Sequence, residues 1–459
     1  MKPEVTFLLV ATVFGLLMLV LSLPFRGPDE LIHFYKAYSI SEGNVLCQVK
    51  VPPGAAKRSG PDSKWVGNEI PHTLQVTADR TVQKIKLPMP SGAIASAFNV
   101  PMRSSPRAFV NYSGWSSIAM YSPVGYAPQV AGILLGRIFS LSPILLMYLA
   151  RLFNLAVFIL LVSLAIRWTP VGKWTMVLVA VMPLTINLAA SVSADAVAIS
   201  LSFLFIAVVL KMAHQQPASR LGGRQLGLLA LLAFLLALSK PPYFLLVFLL
   251  LLIPAKRLGG RGKYAAVFGG MLAGTVAVAA GWDLLVRNAY VGRLASVSPS
   301  LQISYILHNP PRFAWIMLRT AYTYKTFWPK TFVGGIGFLE VNLPVIFLAL
   351  YLLALVAVAL LEPVDRTPDL REKGVSLGVF LGITVVTLAT FYITWTPVGQ
   401  RLIDGFQARY FIPIVPLLLL VLANGRLSLK RDWIVPVSVL AFSGVSILIT
   451  MVYMVRVYY

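Results

Sequence analysis

Long apolar runs, separated by short and mostly basic joints, set the pattern of this chain. The runs fall near 5–25, 142–166, 174–190, 195–212, 225–239, 242–254, 264–286, 337–361, 375–395, 409–424 and 433–455. The longer ones match the roughly 20 residues that a helix needs to cross a hydrocarbon core of about 30 Å. The expected fold is all-α, a polytopic membrane protein of about 11 transmembrane helices. Five joints dense in Lys and Arg, at 167–173, 211–224, 256–263, 366–373 and 426–431, all face the cytoplasm if the first span runs outward. That puts the N-terminus inside and the chain in the plasma (inner) membrane.

Two segments bear on the count. The run 225–254 reads as one helix broken at Pro241-Pro242 or as a hairpin, and the basic clusters at both its ends favour a hairpin with Ser239-Lys240-Pro241 at the outer tip. The Gly-rich stretch 124–140 is expected as a juxtamembrane helix in the outer interface, because a span there would reverse every later loop. The whole chain, 1–459, is then a single membrane domain with two outer elements. Residues 26–140 form a large first extracytoplasmic loop, long enough for a small ordered subdomain with juxtamembrane helices. Residues 287–336 form a second loop with Arg287, Arg293, Arg312, Arg319, Lys325 and Lys330 and no acid. That loop runs against the positive-inside bias. With Trp315, Tyr322, Tyr324, Phe327 and Trp328 it suits contacts to phosphate at the acyl-chain boundary, or headgroup anchoring of interfacial helices.

Composition excludes a soluble globular protein: 58% of residues are hydrophobic and 12% charged, with mean hydropathy +0.79, against about 25% charge in soluble domains. The start, Met1-Lys2-Pro3-Glu4, has a weak basic region and no small-residue cleavage site before Arg26, so a retained helix is expected rather than a signal peptide. Cys47 is the single cysteine, so packing and hydrogen bonds must hold the outer loop without an internal disulfide. No internal repeat is visible, which weakens a transporter built on duplicated halves. The bilayer is the expected partner, and nucleic acid is not.

The sixteen acids sort usefully. Outside the cytoplasmic joints, the middle of the first outer loop and Glu4, they reduce to Asp29, Glu30, Asp195, Asp283, Glu340 and Asp404, all at the outer boundary. Carboxylates for proton transfer beside guanidinium groups for phosphate would serve an anionic substrate. Helix caps and ion pairs produce the same distribution. In Pro28-Asp29-Glu30-Leu31-Ile32-His33 the adjacent acids cannot share a helical face, so one is expected to turn into a site and the other toward backbone, a cation or a metal. His33 shares a face with either if a helix starts at Asp29. A helix start suits the same residues as simple caps.

Asp195 follows the small-residue turn 189–194, which permits close approach of a ligand but also reads as a first-turn acid. Asp283 has Arg287 at i+4, an ordinary helical ion pair, and Glu340 reads as a cap. The polar stretch 395–410 contains Arg401, Asp404, Arg409 and Tyr410. Arg409 needs an anion at that depth, with Asp404 or a lipid phosphate as candidates.

The Pro-Asp-Glu-x-x-His run after the first helix resembles the signature of an uncharacterised family of polytopic bacterial membrane proteins. Tyr121-Ser122-Pro123 to Pro128, Arg151 to Asn154, Pro183 through Asp195, Ser239-Lys240-Pro241 and Gln407-Ala408-Arg409-Tyr410 to Pro413 extend the resemblance. That family is similar to GT-C glycosyltransferases, such as the protein mannosyltransferases, aminoarabinose transferases and oligosaccharyltransferases. In those, an acid just after the first helix serves catalysis and a second acid commonly lies in the next outer loop.

The resemblance implies a GT-C-like fold and an enzyme that moves a sugar from a polyprenyl-phosphate donor to an extracytoplasmic acceptor glycan or lipid-linked saccharide. It puts Asp29 or Glu30, with His33 beside them, in the catalytic slot and Asp195 in the second-acid slot. Arg409 becomes the contact to the donor phosphate and Lys240 its helper, with Tyr410, Arg401 and Arg151 in the substrate-binding set. The chain lacks a soluble C-terminal domain of the oligosaccharyltransferase kind, which counts against a protein acceptor. A divalent metal fits paired acids, although no compact ligand constellation is visible and no other cofactor is expected. A transporter or flippase of lipid-linked saccharides and a non-catalytic subunit of cell-surface polysaccharide assembly are the alternatives. The enzyme reading requires residues 29, 30, 195 and 409 to converge on one pocket opening away from the cytoplasm.

Overall fold

A computed structural model describes residues 1–52, 63–83, 87–88, 95–102, 106–214, 220–364, 366–429 and 431–459. Parts of the first outer loop and of the joint 211–224 thus lie outside the described residues. In chain order the main helices are α1 (Pro3–Leu21), α2 (Glu30–Ser41), α3 (Ala127–Ile138), α4 (Pro143–Trp168), α5 (Lys173–Ala180), α6 (Pro183–Ala189), α7 (Ala194–His214), α8 (Gly223–Ser239), α9 (Arg261–Val286), α10 (Pro299–His308), α11 (Pro310–Thr323), α12 (Val345–Leu361), α13 (Leu370–Thr394), α14 (Val415–Leu422) and α15 (Ile434–Tyr458). Among the described residues six helices, α1, α4, α7, α9, α13 and α15, are long and apolar enough to cross a membrane, and α8, α12 and a 3-10 helix at Pro241–Leu252 are shorter apolar helices.

The burial pattern explains why these helices need lipid. Helix α7 is buried on nearly all sides, packed between α4 and α8. Helix α1 buries Phe7, Ala11, Phe14 and Met18 at helical spacing, while Leu9, Val13, Leu16 and Val20 stand exposed on its other face. A helix apolar all round with one face uncovered is unstable in water and suited to a bilayer.

Four of the expected runs differ in detail, each for a local reason. The run 174–190 is two helices, because Pro183 has no N–H to continue α5 and instead opens α6 with its fixed φ. The run 242–254 starts on Pro241-Pro242 and winds as a 3-10 helix, with Tyr243 N–H donating to the Lys240 carbonyl. Its twelve residues reach roughly 24 Å at the longer 3-10 rise, and its break from α8 falls at Lys240. The run 337–361 becomes helical only at Val345, since residues 335–342 make a small hairpin of Gly335–Ile336 against Val341–Asn342. The run 409–424 is a 3-10 turn, Ala408–Phe411, followed by the eight residues of α14, with Pro413 in the break between them and Pro416 in the first turn of α14. Helix α3 has twelve residues, too few to span, and packs on α2 and α4.

The basic joints gather at one end of the bundle. Glu362 after α12 accepts from the Trp174 and Thr175 N–H groups at 2.8 and 3.0 Å, Leu221 donates to the Arg257 carbonyl, and Leu429 donates to Leu361. His214 Nε2 lies 3.4 Å from Glu372, and Lys373 donates to the Ala423 carbonyl at 2.8 Å. The connection between α1 and α3 and the 287–298 segment therefore sit at the opposite end.

The connection between α1 and α3 carries an antiparallel sheet in the order β1 (Gln48–Lys50), β2 (Trp65–Pro71), β3 (Arg107–Asn111), with Gly67 paired to both Gln48 and Asn111. A Cβ at Gly67 would run into the Val110 carbonyl oxygen of the neighbouring strand. Gly67→Ala is therefore expected to cost about 1–3 kcal/mol, read as earlier proteolytic cleavage within the connection between α1 and α3. Cleavage at the wild-type rate would mean that the strands separate freely there.

Candidate active site

Pro28 and the two acids after it lie at the joint between α1 and α2, and the neighbours part in direction. Asp29 takes a left-handed backbone conformation, φ 56° and ψ 15°, a region that a short polar side chain tolerates better than most. Its carboxylate makes no capping bond to α2. The capping alternative thus fails for Asp29, and Glu30 reaches back instead, accepting from Gly27 N–H at 3.0 Å.

Glu30 is wholly buried against Arg151 of α4. Arg151 Nε and Nη2 donate to its two oxygens at 2.7 and 2.6 Å, a bidentate charge-assisted pair. The remaining donors of Arg151 reach the Leu19, Ser22 and Leu23 carbonyls at 2.8–3.1 Å, satisfying the otherwise bare end of α1. Glu30 also accepts from Val192 N–H at 2.9 Å. One ion pair therefore ties the end of α1, the start of α2, α4 and the turn before α7. Asn154, one helical turn after Arg151, braces the same turn through the Ser191 carbonyl at 2.8 Å, and Gln129 of α3 bonds both Asn154 and the Ser193 carbonyl.

The clamp sets Asp29 and Asp195 beside each other, and two cations close the cluster. Arg409 Nη2 donates to Asp29 at 2.7 Å, and its Nε lies 3.6 Å from Asp195 with no hydrogen-bond acceptor among the described residues. Lys240, from the break between α8 and the 3-10 helix, pairs with Asp195. Its ammonium also lies 4.6 Å from the centre of the Tyr410 ring, and Tyr243 OH holds the Tyr410 carbonyl at 2.9 Å. His33, one turn into α2, contacts Tyr126 OH through Nδ1 at 2.7 Å and stacks on Tyr121.

Asp29, His33, Asp195, Lys240, Arg409 and Tyr410 all line one cavity of about 540 Å³, whose further wall is mostly apolar and aromatic. Of the residues singled out in the sequence, Glu30 and Arg151 are withdrawn into the clamp behind it, so of residues 29, 30, 195 and 409 only 29, 195 and 409 meet in the cavity. Arg401 is exposed and lies outside the lining. The partner suggested for Arg409 also changes, since Asp404 accepts from Gln400 at 3.1 Å and Arg409 turns to Asp29. Glu340 pairs with Arg26. Asp283 forms no ion pair with Arg287 among the described residues and lines the cavity instead. Tyr121, Tyr126, Tyr243, Gln129 and Asn154 carry roles that residue type and spacing did not reveal. Only the resemblance touched any of them, through the segments around Tyr121 and Asn154.

Electrostatics fix the charges of the groups on α2. Burial alone would raise the Asp29 carboxyl, but the Arg409 guanidinium and then His33 outweigh it and hold the carboxyl below its usual range. His33 is pushed down to about 4, chiefly by burial, although Asp29 and Asp195 pull the other way. At neutral pH the cluster thus holds an ionised Asp29 and a neutral imidazole. Because the unfolded histidine titrates near 6.5, the folded protein binds fewer protons between pH 6.5 and 4. Stability is complete above that window and falls through it as the pH drops, by on the order of 3 kcal/mol. His33→Gln is expected to blunt this loss, measured as the shift in thermal unfolding between pH 7 and pH 4. An identical shift in wild type and variant would remove His33 as the cause.

Among the described residues no group of three or more His, Cys, Asp or Glu side chains is placed to hold a metal ion. A family profile described as a predicted membrane protein, DUF2142, matches residues 12–418. No curated protein and no solved structure matches the chain.

Proposed function

The chain belongs to the DUF2142 family of predicted membrane proteins, and for that membrane setting we propose a GT-C-like glycosyltransferase that moves a sugar from a polyprenyl-phosphate donor to a glycan acceptor outside the cytoplasm. The carrying observation is the convergence of Asp29, Asp195, Lys240 and Arg409, from four separate segments, on one cavity at the end of the bundle away from the basic joints. By the positive-inside bias that end faces out, in the plasma membrane.

In this reading the acceptor hydroxyl attacks the anomeric carbon while its proton passes to Asp29. The C–O bond to phosphate breaks, and the bonding pair leaves with the phosphate oxygen. Asp29 rather than Glu30 is the base, since the Glu30 carboxylate already accepts from Arg151, Gly27 and Val192. The donor is a phosphodiester with one negative charge, and the leaving lipid phosphate gains a second. Cations beside it therefore bind the transition state more strongly than the ground state. Arg409 and Lys240 supply them: Arg409 exchanges Asp29 for the donor phosphate, which frees Asp29 to take the proton, while Lys240 keeps Asp195 and turns its remaining donors to the phosphate. Asp195 holds Lys240 in place.

The test is complementation. Loss of the protein should change the surface glycan of its source cell, wild type should restore it, and Asp29→Asn should not. Unchanged glycan composition without the protein would overturn the reading. Restoration by Asp29→Asn would favour a flippase or a non-catalytic assembly subunit.

A further inference from the structure

The charge cluster occupies only one end of the cavity. From Lys240 the wall continues as a ladder of alternating contacts: Lys240 over Tyr410 at 4.6 Å, Tyr410 to Phe391 at 5.1 Å, Phe391 to Trp395 at 6.3 Å, and Arg293 over Trp395 at 5.0 Å. All five line the same cavity, as do Trp282 and Asp283 at the end of α9. The far end is a built wall. Tyr290 OH donates to the Thr394 carbonyl at 3.0 Å and Val398 N–H to the Ser296 carbonyl, so the loop between α9 and α10 is stitched to the end of α13, while Trp282 Nε1 ties α9 to the Met120 carbonyl at 2.8 Å.

We propose that this far end is a saccharide subsite, with Trp395 as the stacking surface and Asp283 and Arg293 as the hydroxyl-reading groups. It rests on the glycosyl-transfer reading only in being assigned to the acceptor. The chemistry fits an uncharged, hydroxyl-rich ring. The face of an indole is apolar and matches the C–H face of a pyranose, while its flat area orders a ring at little entropic cost. Asp283 accepts from sugar hydroxyls and Arg293 donates to them, the small number of placed polar groups that orient a ligand in an otherwise apolar pocket. A second phosphate is less favoured there than beside Lys240 and Arg409, because the charge of Asp283, which has no ion-pair partner among the described residues, offsets that of Arg293.

Full-length protein in detergent would be probed by saturation-transfer difference NMR with neutral trisaccharides of glucose, mannose, galactose and N-acetylglucosamine, and with trigalacturonic acid. At least one neutral trisaccharide is expected to bind, more tightly than the acidic one. Trp395→Ala should weaken it about tenfold or more and Asp283→Asn should weaken it less, while Trp395→Phe, which keeps an aromatic face, should fall between wild type and the alanine variant. Absence of binding by all neutral probes, preference for the acidic trimer, or wild-type binding by Trp395→Ala would each overturn the subsite. Saccharide binding lost in Trp395→Ala, in a protein whose removal leaves the surface glycan unchanged, would retain the subsite and reject the transferase.

Discussion

Arg151→Met is expected to lose about 3–5 kcal/mol of stability, the cost of stranding one member of a buried ion pair. The residue is wholly buried and spends its donors on Glu30 and on three carbonyls at the end of α1. Methionine fills much of the volume but leaves the Glu30 carboxylate without its counter-ion and the Leu19, Ser22 and Leu23 carbonyls without a donor. Glu30→Gln should cost less, because an amide oxygen can still accept from Gly27 or Val192 N–H. The double variant Glu30→Gln/Arg151→Met should recover part of the loss by removing the uncompensated charge, a coupling that additive sites would not give. Thermal unfolding of the purified protein in detergent reads all three. A wild-type midpoint for Arg151→Met would mean that the pair does not hold the helix ends together.

Asp29→Asn is expected to lower transfer by about 10²- to 10⁴-fold, the usual worth of a positioned general base, with little change in stability. Asparagine tolerates the left-handed backbone of residue 29 about as well as aspartate, and its amide oxygen can still accept from Arg409. Glu30→Gln provides the contrast. Its transfer per folded molecule should fall far less, because the clamp acts through position. The measurement is release of polyprenyl phosphate from a lipid-phosphate sugar, normalised to folded protein. Equal losses in the two variants would return Glu30 to the reaction, and full transfer by Asp29→Asn would move the base elsewhere.

The membrane class and the grouping of basic joints at one end were legible because they depend on local composition: a long apolar run and a short basic loop each carry their own signal. The break at Lys240 was legible for the same reason, since Pro241-Pro242 acts on its immediate neighbours. The two-helix form of 174–190 has an equally local cause in Pro183, but its uniformly apolar surroundings masked it. The start of α12 at Val345 depended on strand pairing between Gly335–Ile336 and Val341–Asn342, which apolar composition does not disclose.

By itself the sequence determined that this is an apolar helical chain for a bilayer, and that its few acids away from the basic joints need partners there, because hydrophobic burial and the cost of bare charge follow from residue type. Only the tertiary structure decided the pairing. Which of two adjacent carboxylates meets Arg151 and which meets Arg409 depends on side-chain direction at one left-handed residue and on helices more than a hundred positions away, a geometry that no run of neighbours encodes.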